Sequence, residues 1–186
     1  MTFLYTATRR YDKTYEENGF FWDNYIEWSK LTQLTEVVSL DGFLNPKIIE
    51  PSYNNTEYWN FIYITGNRKT GFFTTLDYVL RNIELKEQFN LLAVIVEPTQ
   101  DCRTVELSDF EFVGYDLLDK EYGTSALTNL GGLNETFLTS DQNQFGLIDD
   151  YEKAYHVKSA LWKNNPEVYH ADTNVIAVWR HRKIGR

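Results

Sequence analysis

Apolar and polar positions alternate in several short stretches of the chain. Thr2 to Thr8 places Phe3, Tyr5 and Ala7 on one side, the period of a strand. Arg9 to Gly19 is polar and reads as a loop. Phe20 to Leu34 fits two periods. Phe21, Tyr25 and Trp28 make a helical stripe, while Trp22, Asn24, Ile26 and Trp28 alternate, and helix is the preferred reading. Val37 to Leu44 reads as a short strand broken at Asp41-Gly42. Trp59 to Thr65 has strong β propensity and stops at Gly66-Asn67.

Leu76, Val79, Leu80 and Ile83 recur at i, i+3, i+4 and i+7, which predicts a helix capped by Thr74 or Thr75. Leu91 to Val96 is the longest unbroken apolar run and predicts a central strand covered on both faces. Asp109 to Leu117 predicts another strand, with Phe110, Phe112 and Gly114 opposed to Glu111, Val113 and Tyr115. Glu121 to Gly146 carries turn chemistry and is long for a loop. Asp149 to Glu152 resembles a capping box. The helix behind it would bury Tyr151, Ala154, Tyr155, Val157, Leu161 and Trp162 and end at Asn164-Asn-Pro166. Thr173 to Arg182 predicts a last strand. Strands and helices do not alternate strictly. The fold class expected is therefore α+β: a single domain over residues 1–186, with one mixed or mostly antiparallel sheet and about three helices packed on it. The basic end, 180–186, is the part with a flexible reading.

Composition supports a packed core. Of 186 residues, 42% are apolar and 24% charged, and 30 are aromatic. A chain of this size buries roughly 70% of its unfolded surface without metal or disulfide help. The lone cysteine, Cys102, makes no intramolecular disulfide. The first ten residues have no apolar signal core, and six residues fall far short of the ~20 that span a bilayer. The expected location is the cytoplasm, and the general character is bacterial.

Charge changes the picture most. The net charge is −9, against a nucleic-acid or anionic-membrane binder. Residues 101–152 hold 12 acidic and 2 basic side chains, whereas residues 153–186 hold 7 basic and 2 acidic. Two readings follow. In one, the acidic stretch is a solvated face, neutralised in part by the basic end. In the other it is a docking surface for a basic protein partner, because complementary charge speeds association and excludes wrong partners. The contact set would be Asp109, Glu111, Asp116, Asp119, Glu121, Asp149 and Asp150, with Tyr115 and Tyr122 as anchors.

Catalytic motifs are missing. The three histidines, His156, His170 and His181, have no zinc spacing, so no metal is expected, and no cofactor motif occurs. Thr65 to Gly71, with Arg68 and Lys69, is the nearest approach to a phosphate loop, and it also reads as an ordinary turn. His170 and Asp172 stand two apart, a spacing open to a base and its orienter. Cys102 has no evident base. Gly131-Gly132 offers an anion nest, with a plain turn favoured. The aromatics from Phe20 to Trp28 read as core.

In size, acidity and missing motifs the chain is similar in general character to small acidic bacterial immunity proteins, which neutralise toxins by occluding them. The likeness covers no specific residue pattern. It implies a non-enzymatic binding protein. The alternatives are a small enzyme built around residues 66–71 with His170 and Asp172, and a regulatory or structural subunit pairing through the aromatic N-terminal third.

Overall fold

The computed structural model describes residues 1–14, 19–44, 56–66, 68–83, 89–129 and 139–184. Eight strands and four α-helices occur among them: β1 (Leu4–Arg9), β2 (Tyr11–Asp12), α1 (Gly19–Ser29), β3 (Glu36–Val37), α2 (Thr56–Phe61), β4 (Ile62–Thr65), β5 (Arg68–Phe73), α3 (Leu76–Asn82), β6 (Phe89–Val96), β7 (Phe110–Asp119), α4 (Tyr151–Asn164) and β8 (Thr173–His181). Six strands form one sheet in the order β4-β5-β1-β6-β8-β7, and every neighbouring pair is antiparallel. β2 and β3 form a separate two-stranded ladder. The architecture is the α+β arrangement expected.

β6 is central, and seven of its eight residues are buried, as the apolar run predicts. Alternate residues feed two cores. Leu91, Ala93 and Ile95 join Ala7, Val175, Ala177 and Trp179 on the face that α3 and α4 cover. Leu92 and Val94 join Leu4, Ile176 and Val178 on the other face. Among the described residues no helix contributes to that core; irregular chain does, through Val38, Leu40 and Leu147. A third, smaller core forms around α1 from Trp22, Leu31, Leu34, Val37 and Leu44.

The α4 helix shows its local causes clearly. Asp150 is the N-cap, and its carboxylate accepts the Lys153 amide at 2.9 Å. Ala154, Val157 and Leu161 form the buried stripe, while Trp162 is turned off it and stays 52% exposed, contrary to the sequence expectation. The Asn165 amide bonds the Leu161 carbonyl, and Pro166 cannot continue the helix.

Two elements differ in kind from the sequence reading. Trp59 to Phe61 is helical, because a short turn of helix seats Tyr58 on Phe73, 5.8 Å between ring centroids. Trp59 is left outside under the Lys69 ammonium, 4.2 Å from the ring centroid. Residues 65–71 are largely strand, Thr65 closing β4 and Arg68 to Gly71 lying in β5 with Gly66 at φ +60 in the turn between them, so no helix N-terminus stands there.

The third difference is a bulge. Phe112 pairs with Trp179 but Gly114 pairs with Val178, so Val113 is an extra residue. Tyr115 therefore shares a face with Phe112, ring centroids 5.1 Å apart, instead of opposing it. Gly114 sits at φ +136, and a Cβ there would lie 2.7 Å from Leu147 Cβ. Gly114→Ala is expected to cost about 2–5 kcal/mol through strain and overlap together. Urea titration measures this, and a midpoint equal to wild type would refute the packing described.

Candidate functional site

β7 is an edge strand, and the predicted docking residues are distributed along and around it. Asp109 precedes it, exposed, at φ +65. Glu121 follows its far end, exposed. Asp149 is exposed beside it, accepting a hydrogen bond from the Asn143 amide at 2.5 Å. Asp150 is half-exposed and divides its carboxylate between the α4 cap and Arg103, 3.6 Å away.

The other five are engaged inside the fold. Tyr115, Asp116 and Asp119 are buried and leave the docking set. The bulge turns Tyr115 into the helical-side core. Asp119 folds its own turn, accepting the Gly123 amide at 2.8 Å. Glu111 is half-buried against Arg180 at 3.2 Å. Tyr122 packs on Phe72, ring centroids 6.0 Å apart.

Asp116 is fully buried. One oxygen accepts from the Leu40 amide at 2.8 Å and the Ser39 hydroxyl at 3.1 Å. The other accepts from the Leu117 amide at 2.8 Å and the Ser125 hydroxyl at 2.5 Å. Burial pushes its pKa up, and these four donors pull it part of the way back. Asp41 extends the network by accepting the Ser125 amide at 2.8 Å.

A second buried charge group closes the opposite end of the same face. Arg180 pairs with Glu36 at 2.8 Å, Glu36 accepts from the Asn90 amide at 2.5 Å, and the guanidinium lies 4.5 Å over the Phe145 ring. The basic C-terminal stretch thus folds back on the acidic one: Arg180 on Glu111, and Lys153 on Asp141. Arg186 lies outside the described residues, as do Gly131 and Gly132.

On the surface beside β7 is a groove of about 380 Å³ lined by Arg103, Phe112, Val113, Asn143, Gln144, Phe145 and Asp149. Phe112 and Phe145 give it aromatic lining, and Asp149 and Arg103 give it charged lining of both signs. Arg103 is committed to Asp101 through two bonds of 2.8 and 2.6 Å. Those bonds, with the Arg103 amide, hold the Asp101 carboxyl down to about 2. Sequence reasoning missed this groove. Its only local signal was Asp101-Cys-Arg103, where the Asp accepts the amide two residues on, at 3.0 Å.

The residues of the enzyme alternative are not brought together. The 66–71 connection lies at the β4-β5 edge. His170 and Asp172 lead into β8, on the far side of β1 and β6 and at the opposite end of the antiparallel sheet. Asp172 lies 3.8 Å from the Lys120 ammonium. Cys102 is buried, and burial pushes its thiol up, with Asp101 adding to this, so it is a poor nucleophile. Among the described residues no three His, Cys, Asp or Glu side chains are grouped to hold a metal. Among the same residues no helix is long and apolar enough to cross a membrane.

No family model, no curated protein and no solved structure matches the chain.

Asp101 and Asp116 act on stability with opposite signs. Asp101 is depressed in the fold, so its contribution is present above the unfolded value and is lost as pH falls toward about 2. Asp116 is raised, so its cost to stability grows as pH rises through its folded value. Asp116→Asn tests the network. Either amide orientation faces its NH2 toward a backbone N–H, of Leu40 or Leu117. The expected loss is about 1–3 kcal/mol, read from chemical denaturation at neutral pH. An Asn variant as stable as wild type would show that the four donors do not need a carboxylate.

Proposed function

We propose that the chain is a non-enzymatic acidic binding protein that docks a basic protein partner along the outer edge of β7, in general character like a bacterial toxin-neutralising immunity protein. The observation that carries this reading is the groove: aromatic lining beside the Asp149 carboxylate, next to an edge strand, with Arg103 already taken up by Asp101. A partner's Lys or Arg lays its apolar stem on Phe112 and Phe145 and sets its charge against Asp149. Arg180 already uses Phe145 in this way, with its guanidinium 4.5 Å from the ring centroid.

Asp109 and Glu121 extend the acidic rim beyond the groove in both directions. The contact set is thus Asp109, Glu121 and Asp149, with Asp150 and Asp101 held in place by Arg103. The regulatory-subunit alternative has less support. Tyr11, Trp22 and Tyr25 pack with one another, and the exposed rings described in that third, Trp28 and Trp59, stand on separate helices.

The test compares the wild-type chain with Asp109→Lys/Glu121→Lys/Asp149→Lys as bait in host lysate, at low and high salt. The expected result is one basic protein held by wild type, released by salt, and bound at least about tenfold more weakly by the triple variant. Equal retention by both baits would sink the assignment.

A further inference from the structure

The outer edge of β7 carries unpaired backbone as well as carboxylates, and the β8 register decides which groups face outward. Arg182 donates its amide to the Asp109 carbonyl at 2.8 Å, so the Asp109 carbonyl points to β8. Backbone direction alternates along a strand. Glu111, opposite Arg180, therefore also turns its backbone to β8, while Phe110 and Phe112 turn theirs outward. Beyond the bulge the outward residue is Tyr115, which exchanges two backbone bonds with Ile148, at 2.7 and 3.0 Å. The outward Phe110 amide is taken up by the Leu107 carbonyl at 3.1 Å. The Val113 carbonyl, at the bulge, accepts from the Asn143 side chain at 2.8 Å. Between these, the Phe112 amide and carbonyl have no outward partner among the described residues. The groove of about 380 Å³ lies at this point, since Phe112 and Val113 both line it.

We propose that the partner presents an extended basic segment, which joins the sheet as an added strand antiparallel to β7 and pairs with the backbone of Phe112. This rests on the docking reading and gives the partner's contact its form. One residue of the segment donates its amide to the Phe112 carbonyl and accepts the Phe112 amide, as Ile148 does with Tyr115. Its side chain falls on Phe112's side of the sheet, beside that ring, and is apolar. The residues before and after it point to the opposite side. One of them stands across from Glu111, which is half-buried on Arg180. The other stands across from Val113, which packs in one cluster with Phe145. Asp149 is close to that position, because the Asn143 side-chain amide bonds both the Val113 carbonyl, at 2.8 Å, and the Asp149 carboxylate, at 2.5 Å. Both flanking residues are therefore basic. The recognised pattern is basic, apolar, basic. Main-chain bonds supply affinity whatever the side chains, and the carboxylates select the charge.

The experiment titrates the isotopically labelled full chain with the peptide acetyl-Thr-Val-Lys-Val-Lys-Val-Thr-amide. A twin peptide is N-methylated at its central Val and cannot donate to the Phe112 carbonyl. Hydrogen exchange at the Phe112 amide is expected to slow at least about tenfold with the parent peptide, while the Tyr115 amide, already bonded to Ile148, does not change. The twin is expected to bind at least about tenfold more weakly than the parent. Asp149→Lys is expected to weaken the parent by a similar factor. Equal binding of parent and twin, with Phe112 exchange unmoved, would overturn strand addition and leave side-chain docking standing. Absence of binding at about 1 mM parent peptide would overturn it as well. Binding that N-methylation abolishes and Asp149→Lys leaves untouched supports the added strand and sinks the carboxylate docking reading, so the two assignments fail separately.

Discussion

A carboxylate buried without a cation constrains one whole face of this protein. The side of the sheet away from α3 and α4 is covered by irregular chain, and such chain brings backbone donors that helices would have satisfied internally. Asp116 stands where those donors converge. It has four acceptor positions, and Leu40, Ser39, Leu117 and Ser125 fill them. Removing its charge from water is expensive, and four hydrogen bonds to an ionised acceptor are among the stronger ones available to offset that. The result ties residues 39–41 and 125–128 to β7. With that face closed, Leu92, Val94, Ile176 and Val178 are dry. The same closure positions Phe145 and Asn143, and so the groove.

The charge arithmetic follows from topology. β7 carries Glu111, Asp116 and Asp119 while β8 ends on Arg180 and His181, and the two are antiparallel neighbours over nine residue pairs. Much of the asymmetry along the sequence is therefore spent inside the fold, through Arg180 with Glu36 and Glu111 and through Lys153 with Asp141. The solvated-face reading explains those pairs. It does not explain Asp149, which is exposed beside the outer edge of β7 and has no cation paired with it among the ion pairs of the described residues. The proposed docking surface is smaller than the acidic segment, and it is set by which strand lies at the edge.

Patterns that depend on one element's own burial were legible in the sequence. β1, α3, β6, α4 and β8 all lie where periodicity places them, because each buries a face whose period the sequence repeats. Features set by a partner element were not. The β propensity of Trp59 to Phe61 lost to the contact of Tyr58 with Phe73. The bulge at Val113 reversed the faces of everything after it, so Tyr115 and Asp116 went inside where strict alternation assigned Tyr115 to the same side as Glu111. A carboxylate in a strand reads as solvent-facing unless its four donors are known, and those come from residues 39, 40, 117 and 125. The groove was illegible for the same reason: its walls at Val113 and Asn143 are separated by 30 residues of chain.

An edge strand is a hazard, since its unpaired backbone groups can template pairing with another chain. Part of β7's outer edge is occupied by its own chain, through the bridges Tyr115 to Ile148 and Leu118 to Ser125. The stretch before the bulge has no such strand partner among the described residues, and that is where Phe112 and Asp149 meet at the groove. Carboxylates there repel a second copy of an acidic chain and attract a basic one. On the docking proposal, protection against self-association and selection for a cationic partner are one arrangement seen from two sides. The two roles separate in one respect. A purely protective charge works wherever it sits along the edge. A docking charge must stand beside the aromatic floor that receives the cation's stem, which is the position Asp149 holds.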